Sequence, residues 1–190
     1  ASDVYKRQIL EDAENELTAE MRELLTMMSD RIKDIDEKVG DLELKIRQSN
    51  QRNEMIAELQ KIPGIGPLTA SAVVATIGDF KEFKNGRELA AFLGVVPRQL
   101  SSGGKQNLLG ISKRGDSYLR TLLIHGARSV IRFAETRQEK NAWLVSLIGR
   151  RNKNIAAVAL ANKNIRIIWA MMTKGEKFNP SHVSEAPTLA

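Results

Sequence analysis

Two adjacent serines, Ser101 and Ser102, are candidate nucleophiles because a glycine pair and several cations surround them in the sequence. A serine that attacks a phosphodiester needs a proton acceptor, cations that neutralise the phosphate charge, and room for in-line approach. Gly103 and Gly104 supply the room. The nearby cations are Arg98, Lys105, Lys113, Arg114 and Arg120. Ser-Ser-Gly-Gly is also typical of a flexible linker, so the residues alone leave both interpretations open.

The charge of the chain is unevenly distributed, and its excess of cations lies after residue 60. Residues 1–60 carry 9 Lys and Arg against 15 Asp and Glu, whereas residues 61–190 carry 20 against 8. Between Leu89 and Ala134 the only acid is Asp116. Such an excess attracts polyanions, nucleic acid first among them, because each phosphate contacted by Lys or Arg releases condensed counterions. A solvated basic surface accounts for the same composition.

Cysteine, histidine and hydropathy narrow the class of protein. The chain has no cysteine, and His125 and His182 are too few and too far apart for zinc, so we expect neither a disulfide nor a metal site in this chain. We expect no membrane span and no signal peptide, which predicts a cytoplasmic protein. The chain opens with Ala, and residues 1–8 do not continue the pattern that follows, which predicts a fragment with a non-native start.

The segment LQKIPGIGPLTASAVVATIGDF, residues 59–80, predicts a helix-hairpin-helix. A helix ends near Lys61, the chain turns through Gly64 and Gly66, and a second helix begins at Pro67, a residue suited to the first helical position. In such a motif the glycines let the backbone approach a phosphate while the amides of the following helix point toward it. A tight turn between two packed helices, without a ligand, is the alternative.

Three further helices are predicted, over residues 85–94, 115–133 and 154–172. In the second of these, the spacing places one set of residues on a polar, basic face and another on the buried face. The basic face carries Thr121, His125, Arg128 and Arg132. The buried face carries Leu119, Leu122, Leu123, Gly126, Val130 and Phe133. Because signals for β-strands are nearly absent, we expect an all-α fold in which Arg128 and Arg132 contact nucleic acid.

Residues 9–50 predict a long helix, or a helical hairpin with Gly40 at its tip. Its apolar residues recur every three or four positions, with one extra step of four, which is a coiled-coil stripe containing a stutter. They are Leu17, Met21, Leu24, Met28, Ile32, Ile35, Val39, Leu42 and Ile46. The stripe suits packing against the C-terminal helices of the same chain or against a second copy, and we expect a homo-oligomer.

Residues 59–79, 83–131 and 158–172 together resemble the C-terminal transposase domain of the bridge-RNA-guided insertion-sequence transposases. The resemblance covers about residues 55–172 and rests on the order and spacing of the motifs described above. We therefore expect a coiled-coil region over residues 1–52, a helical transposase domain over residues 53–172, and a polar tail over residues 173–190. In that family an N-terminal nuclease-like domain carries a tetrad of acidic residues, and a serine links covalently to DNA.

Transferred to this sequence, the resemblance implies that Ser102 is the nucleophile, with Ser101 as second choice. Lys113 and Arg114 would then hold the scissile phosphate, and Arg120 would reinforce their field. The implied partners are DNA and a guide RNA. Magnesium is implied for the intact enzyme only, through an acidic domain not contained in this sequence, so this chain is expected to bind DNA without completing recombination alone.

Two functions of other classes fit the same residues. The first is a non-catalytic helix-hairpin-helix module that binds DNA, and the second is an assembly module whose coiled coil joins subunits. Absence of salt-dependent DNA binding would favour the assembly module. Serines that are dispensable for strand cleavage in the intact protein would favour the non-catalytic module.

Overall fold

The computed structural model describes residues 8, 12, 16–102, 105–134 and 141–180, and of residues 100–102 and 105–108 it describes the backbone. Two compact units make up the chain, residues 1–47 and residues 48–190. The serine hydroxyls, the Lys105 side chain, Gly103 and Gly104, and most of residues 1–15 and of the C-terminal tail therefore lie outside what is described.

Helix α1, Ala19–Asn50, is the long helix that the apolar stripe predicts. It runs without interruption through Gly40, so the alternative of a helical hairpin with its tip there is wrong. Salt bridges between residues three and four positions apart line its surface, such as those of Arg31 and Lys38 with Asp34 at 2.8 and 2.9 Å. These pairs and a single Gly at a cost of about 1 kcal/mol are compatible with a continuous helix.

A short helix α2, Glu54–Leu59, precedes the longer α3, Pro67–Ile77, and we call the connection between them the α2–α3 hairpin; the helix-hairpin-helix motif itself stays a prediction. The side chain of Asn53 caps α2 by accepting the N–H groups of Met55 and Ile56. Pro67 stands in the first turn of α3, where its missing N–H removes no helical hydrogen bond. The two helices pack on each other and leave Gly64 and Gly66 in the connection between them.

A 3₁₀ turn, Phe80–Glu82, leads into α4, Gly86–Phe92, a helix predicted over residues 85–94 and capped by the side chain of Asn85. Next come two antiparallel strands, β1 (Pro97–Ser102) and β2 (Lys105–Ile111). The near absence of strand signals in the sequence is therefore misleading for residues 97–102 and 105–111. Ladder hydrogen bonds between the two strands provide the order that Ser and Gly, which have low strand propensity, do not indicate.

Three helices complete the fold, α5 (Ser117–Ala134), α6 (Ala142–Arg150) and α7 (Lys153–Lys174). Helix α7 packs against α4, α5 and α6 and is the centre of the core. The largest core side chains that are less than 2% exposed are Leu59, Ile62, Leu89, Leu93, Leu119, Leu123, Ile165, Ile168, Val73 and Val95. The described chain is thus predominantly helical, as predicted, with one two-stranded sheet added.

Helix α7 meets a criterion for membrane-spanning helices, although we expect no membrane span. By length and composition, it is the one described helix that passes this criterion. Helix α7 nevertheless behaves as a core helix, because Ala156, Leu160 and Ile165 are buried against the rest of the protein. Buried core helices of this length pass the same criterion.

Candidate nucleic-acid interface

One side of α5 is a continuous exposed surface that carries cations and aromatic rings. Arg128 and Arg132 are both exposed, and Thr121 and His125 lie with them along the helix. The rings of Tyr118 and Phe133, near the start and the end of the helix, are 54% and 51% exposed. We call this set of six residues the α5 surface. Its two aromatic members were missed or misplaced by the sequence analysis, which assigned Phe133 to the buried face.

The opposite side of α5 explains why this surface faces outward. Leu119, Leu123, Ala127 and Ile131 are at most 2% exposed and recur at intervals of four residues. Burial of this apolar side contributes roughly 25 cal/mol for each Å² removed from water, which fixes the rotation of the helix. The cations on the other side are therefore held in solvent by packing rather than by bonds of their own.

Arg128 and Arg132 have no acidic partner within the described residues. Helix α5 contains no acid, and Asp116 just before it uses Oδ1 to accept the N–H of Leu119 at 2.8 Å, as a helix cap does. Guanidinium groups without internal partners remain available to form charge-assisted hydrogen bonds with phosphate.

The hairpin between α2 and α3 sits directly on α5 through two glycines. Gly64 has φ +88°, and a Cβ there would lie 2.8 Å from the carbonyl oxygen of Gly126. A Cβ on Gly126 would in turn overlap the carbonyl oxygen of Gly64. The close approach that Gly64 allows is thus toward α5, so its packing role alone accounts for the glycine, and its predicted phosphate contact stays a prediction.

Two buried asparagines fix the hairpin further. Nδ2 of Asn50 donates to the carbonyl oxygen of Pro67 at 3.1 Å, and Nδ2 of Asn164 donates to that of Pro63 at 2.9 Å. Their residues are 4% and 3% exposed. Because each bond satisfies a carbonyl of the hairpin, the loop is held in one conformation on the body of the protein.

The amino end of α3 remains open for a ligand. Gly66 precedes the helix without a side-chain cap, it is exposed, and nothing lies within 4 Å of where its Cβ would be. The N–H groups of Leu68 and Thr69 have no acceptor among the described hydrogen bonds. An uncapped helix start attracts anions through its free amides and the helix dipole.

The backbone of Ser101 and Ser102 lies at the end of β1, next to the start of β2. In the register of the strands Ser102 pairs with Lys105, and Ser101 pairs with Gln106. Arg98 is exposed and lies where the register shifts between Pro97 and Gln99. The structure thus brings the backbones of Ser102 and Lys105 together, whereas the distance of either hydroxyl from the cations stays outside the described part.

Residues 112–115 are anchored where β2 leads toward α5. Ser112 N donates to the carbonyl oxygen of Val96 at 2.8 Å, and Lys113 N donates to that of Gly94 at 3.1 Å. Lys113 has φ +56°, an uncommon conformation for a residue with a side chain. The side chains of Lys113 and Arg114 are exposed. The backbone of this segment is therefore fixed while both cations face solvent.

Arg120 differs from the other predicted cations, because it bonds to the protein itself. Its Nη1 donates to the carbonyl oxygens of Leu93 and Arg114 at 3.3 and 3.2 Å. The guanidinium thereby ties α5 to the end of α4 and to the segment that precedes α5. Its predicted part in a phosphate field stays a prediction, and its visible part is to hold Arg114 in place.

Lys163 is a further cation that contacts the protein itself, through an aromatic ring. Its Nζ lies 4.2 Å from the centre of the Trp143 ring. Burial lowers the pKa of its ammonium group below the usual value.

Within the described ranges, no three His, Cys, Asp or Glu side chains cluster as a metal site would require. The described part of this chain therefore contains no set of ligands for the magnesium that the resemblance implies.

Residues 56–142 match the model of the "Transposase IS116/IS110/IS902 family". The chain is 47% identical over 165 residues to a probable family 20 transposase of Pseudomonas aeruginosa, covering 86% of this chain and 49% of that protein. It is 48% identical to the transposase for insertion sequence element IS1111A of Coxiella burnetii, covering 85% of this chain and 45% of the relative.

The transposase for insertion sequence element IS1328 of Yersinia enterocolitica is 37% identical, with 93% of this chain and 53% of that protein covered. The chain thus spans about half the length of these relatives. Residues 56–142 include the hairpin, both strands and all of α5, so the matched region contains every predicted site residue.

Proposed function

We propose that this chain is the DNA-binding and strand-joining part of a transposase of the IS116/IS110/IS902 family, which recombines the DNA of a bacterial insertion sequence. The observation that carries the proposal is the α5 surface, which lies inside the region that matches the family. There Arg128 and Arg132 are exposed and have no acidic partner among the residues that the structure describes. The names of its relatives supply the reaction class.

Binding of the DNA backbone follows from the arrangement of these cations. Arg128 and Arg132 are four residues apart on one helix, so their Cβ atoms lie about 5–6 Å from each other and can contact neighbouring phosphates. Contacts of this kind position a duplex without reading its sequence. The open start of α3 at Gly66 offers the free N–H groups of Leu68 and Thr69 to a further phosphate.

Ser102 is the proposed nucleophile, with Ser101 as second choice. Its Oγ forms a bond to a phosphorus atom of one strand, the bond from phosphorus to the departing strand oxygen breaks, and the hydroxyl proton passes to an acceptor. Exposed Lys113 and Arg114, on a backbone anchored to Val96 and Gly94, would neutralise the added phosphate charge. No residue of the described chain is assigned as the proton acceptor.

The remaining partners are proposed on the strength of the resemblance and of α1. A guide RNA would direct the intact enzyme to its target, and magnesium would be held by acidic residues of the intact protein beyond this chain. Self-association would use the exposed apolar stripe of α1, whose members Leu24 and Ile35 are 51% and 46% exposed. An apolar seam of this length is a typical coiled-coil interface.

A second candidate function is a DNA-binding module without catalysis. It is favoured by the bonds of Arg120 to Leu93 and Arg114, which leave one fewer cation for the phosphate near the serines. In that case Lys113 and Arg114 would position DNA beside the hairpin strands, and neither serine would be required for strand cleavage.

The test compares three serines in the full-length protein supplied with guide RNA and a DNA substrate. We expect Ser102→Ala to abolish the covalent protein–DNA adduct, while Ser101→Ala and Ser112→Ala retain it and all three bind DNA. Ser112 is the matched control because its hydroxyl is buried in the segment just after β2. If Ser101→Ala alone loses the adduct, the nucleophile is Ser101, and if all variants form it, the non-catalytic module is correct.

A further inference from the structure

A groove between the start of α4 and the C-terminal half of α7 is lined by two arginines and a tryptophan. Its volume is about 420 Å³, and its lining residues are Asn85, Gly86, Arg87, Arg166, Trp169 and Ala170. None of them belongs to α5, so the groove is distinct from the α5 surface. We call it the Arg87–Arg166 groove.

The walls of this groove are fixed by packing and hydrogen bonds. A Cβ on Gly86 would lie 2.9 Å from the Cα of Arg166, so α4 approaches α7 as closely as a glycine permits. Nε1 of Trp169 donates to the carbonyl oxygen of Phe83 at 3.0 Å. Oδ1 of Asn85 accepts the N–H groups of Arg87 and Glu88. The indole and the start of α4 are therefore held in place before any ligand binds.

The charge of the groove is positive and is not neutralised internally. Arg87 and Arg166 are both exposed, and neither has an acidic partner within the described residues. Helix α7 contains no acid. The acid next to Arg87, Glu88, uses Oε2 to accept the N–H of Lys84 at 2.8 Å. Arg87 on α4 and Arg166 on α7 thus line the same groove.

We propose that the Arg87–Arg166 groove is a second nucleic-acid site, which holds one nucleotide unit of a single strand with its phosphate between the two arginines. Guanidinium groups bind phosphate through paired hydrogen bonds. Arginine combined with an aromatic ring is the usual equipment of single-strand binding sites. A volume of about 420 Å³ is in the range of small-ligand sites and admits one nucleotide, not a duplex.

The tryptophan provides a direct readout, because the chain has two tryptophans. In a Trp143→Phe variant, Trp169 is the only tryptophan, so emission excited selectively at tryptophan reports on it. We expect a short oligothymidylate to quench its emission, and we expect Arg87→Gln/Arg166→Gln to weaken that response by about tenfold or more. The matched control is Arg31→Gln/Arg47→Gln, which removes the same charge from α1 and should leave the response unchanged.

Two further ligands and one further variant separate the possible sources of the phosphate. Inorganic phosphate and a mononucleotide should quench only at concentrations at least about a hundredfold higher than the strand, and equal affinity for the mononucleotide would overturn the strand assignment. The Arg128→Gln/Arg132→Gln variant should retain the oligothymidylate response while its duplex binding weakens. An unchanged Trp169 emission while the strand binds elsewhere would overturn the groove and leave the proposed function standing.

Discussion

Helix α1 and the helical body of residues 48–180 use apolar residues in opposite ways. In α1, nine large apolar side chains, from Met21 to Leu44, are between 45% and 64% exposed. In the body, residues of the same types form a core in which Leu59, Leu119 and Ile165 are at most 1% exposed. The charges differ as well, since acids predominate up to residue 60 and cations after it.

This difference indicates two separate tasks along the chain. A helix that leaves its apolar stripe uncovered is suited to a partner helix, and its surface ion pairs keep it soluble at a contribution of less than about 1 kcal/mol each. A body that buries its apolar residues and exposes arginines without acidic partners in its described part is suited to a polyanion. Comparable substitutions in α1 and in the body should therefore have different effects.

The largest effect is expected from replacing Gly126 of α5 by alanine, with the same substitution at a glycine of α6 and of α1 as controls. Gly126→Ala should destabilise the body by several kcal/mol, because the new Cβ meets the backbone of Gly64. Gly149→Ala in α6 and Gly40→Ala in α1 have nothing within 4 Å of the new Cβ. Both should be neutral or stabilising by up to about 1 kcal/mol. Chemical denaturation of each variant measures the difference, and a tolerated Gly126→Ala would contradict the packing of the hairpin on α5.

The next effect concerns association rather than folding. Leu24→Asp with Ile35→Asp should convert the chain from an oligomer to a monomer in light scattering, and the melting of the body should not change. Leu44→Asp is the control, because Leu44 is equally exposed at 55% but lies off the stripe. A monomeric parent chain at micromolar concentration would rule out the coiled-coil interface.

A smaller effect is expected at the buried amide that holds the hairpin. Asn164→Ala removes the donor to the carbonyl oxygen of Pro63 and should lower the free energy of unfolding by about 1–3 kcal/mol. Asn162→Ala removes a longer bond of 3.4 Å to Val95 and should cost less. Equal stabilities in thermal melts would show that the hairpin does not depend on Asn164.

Local signals predicted most of the helices of the body. Pro67 opens α3, Asn85 caps α4, and Gly94 ends that segment with φ +71°, as their positions in the sequence indicate. Each of these signals acts within a few residues, so neighbouring sequence contains all the information that is needed.

Features that depend on distant residues were missed or misassigned. Strands β1 and β2 pair with each other, and Gly103-Gly104 stands between them in the sequence. Two glycines between two extended segments are a signal for a β-hairpin, which the sequence analysis did not use. Phe133 was placed in the core because it continues an apolar spacing, yet the buried face turns to Ala127, Ile131 and Ala134 instead. The bonds of Arg120 join residues that are up to 27 positions apart, which no local pattern reveals.

The central claim, that the α5 surface binds the nucleic-acid backbone, is tested most directly by the salt dependence of duplex binding. With about four to six phosphate contacts, the slope of log K against log salt should lie near −4 to −5, and Arg128→Gln/Arg132→Gln should make it shallower by about 2. Arg31→Gln/Lys38→Gln, which removes two paired cations from α1, should leave it unchanged. A slope near zero, or equal slopes for the parent chain and the α5 variant, would contradict the account.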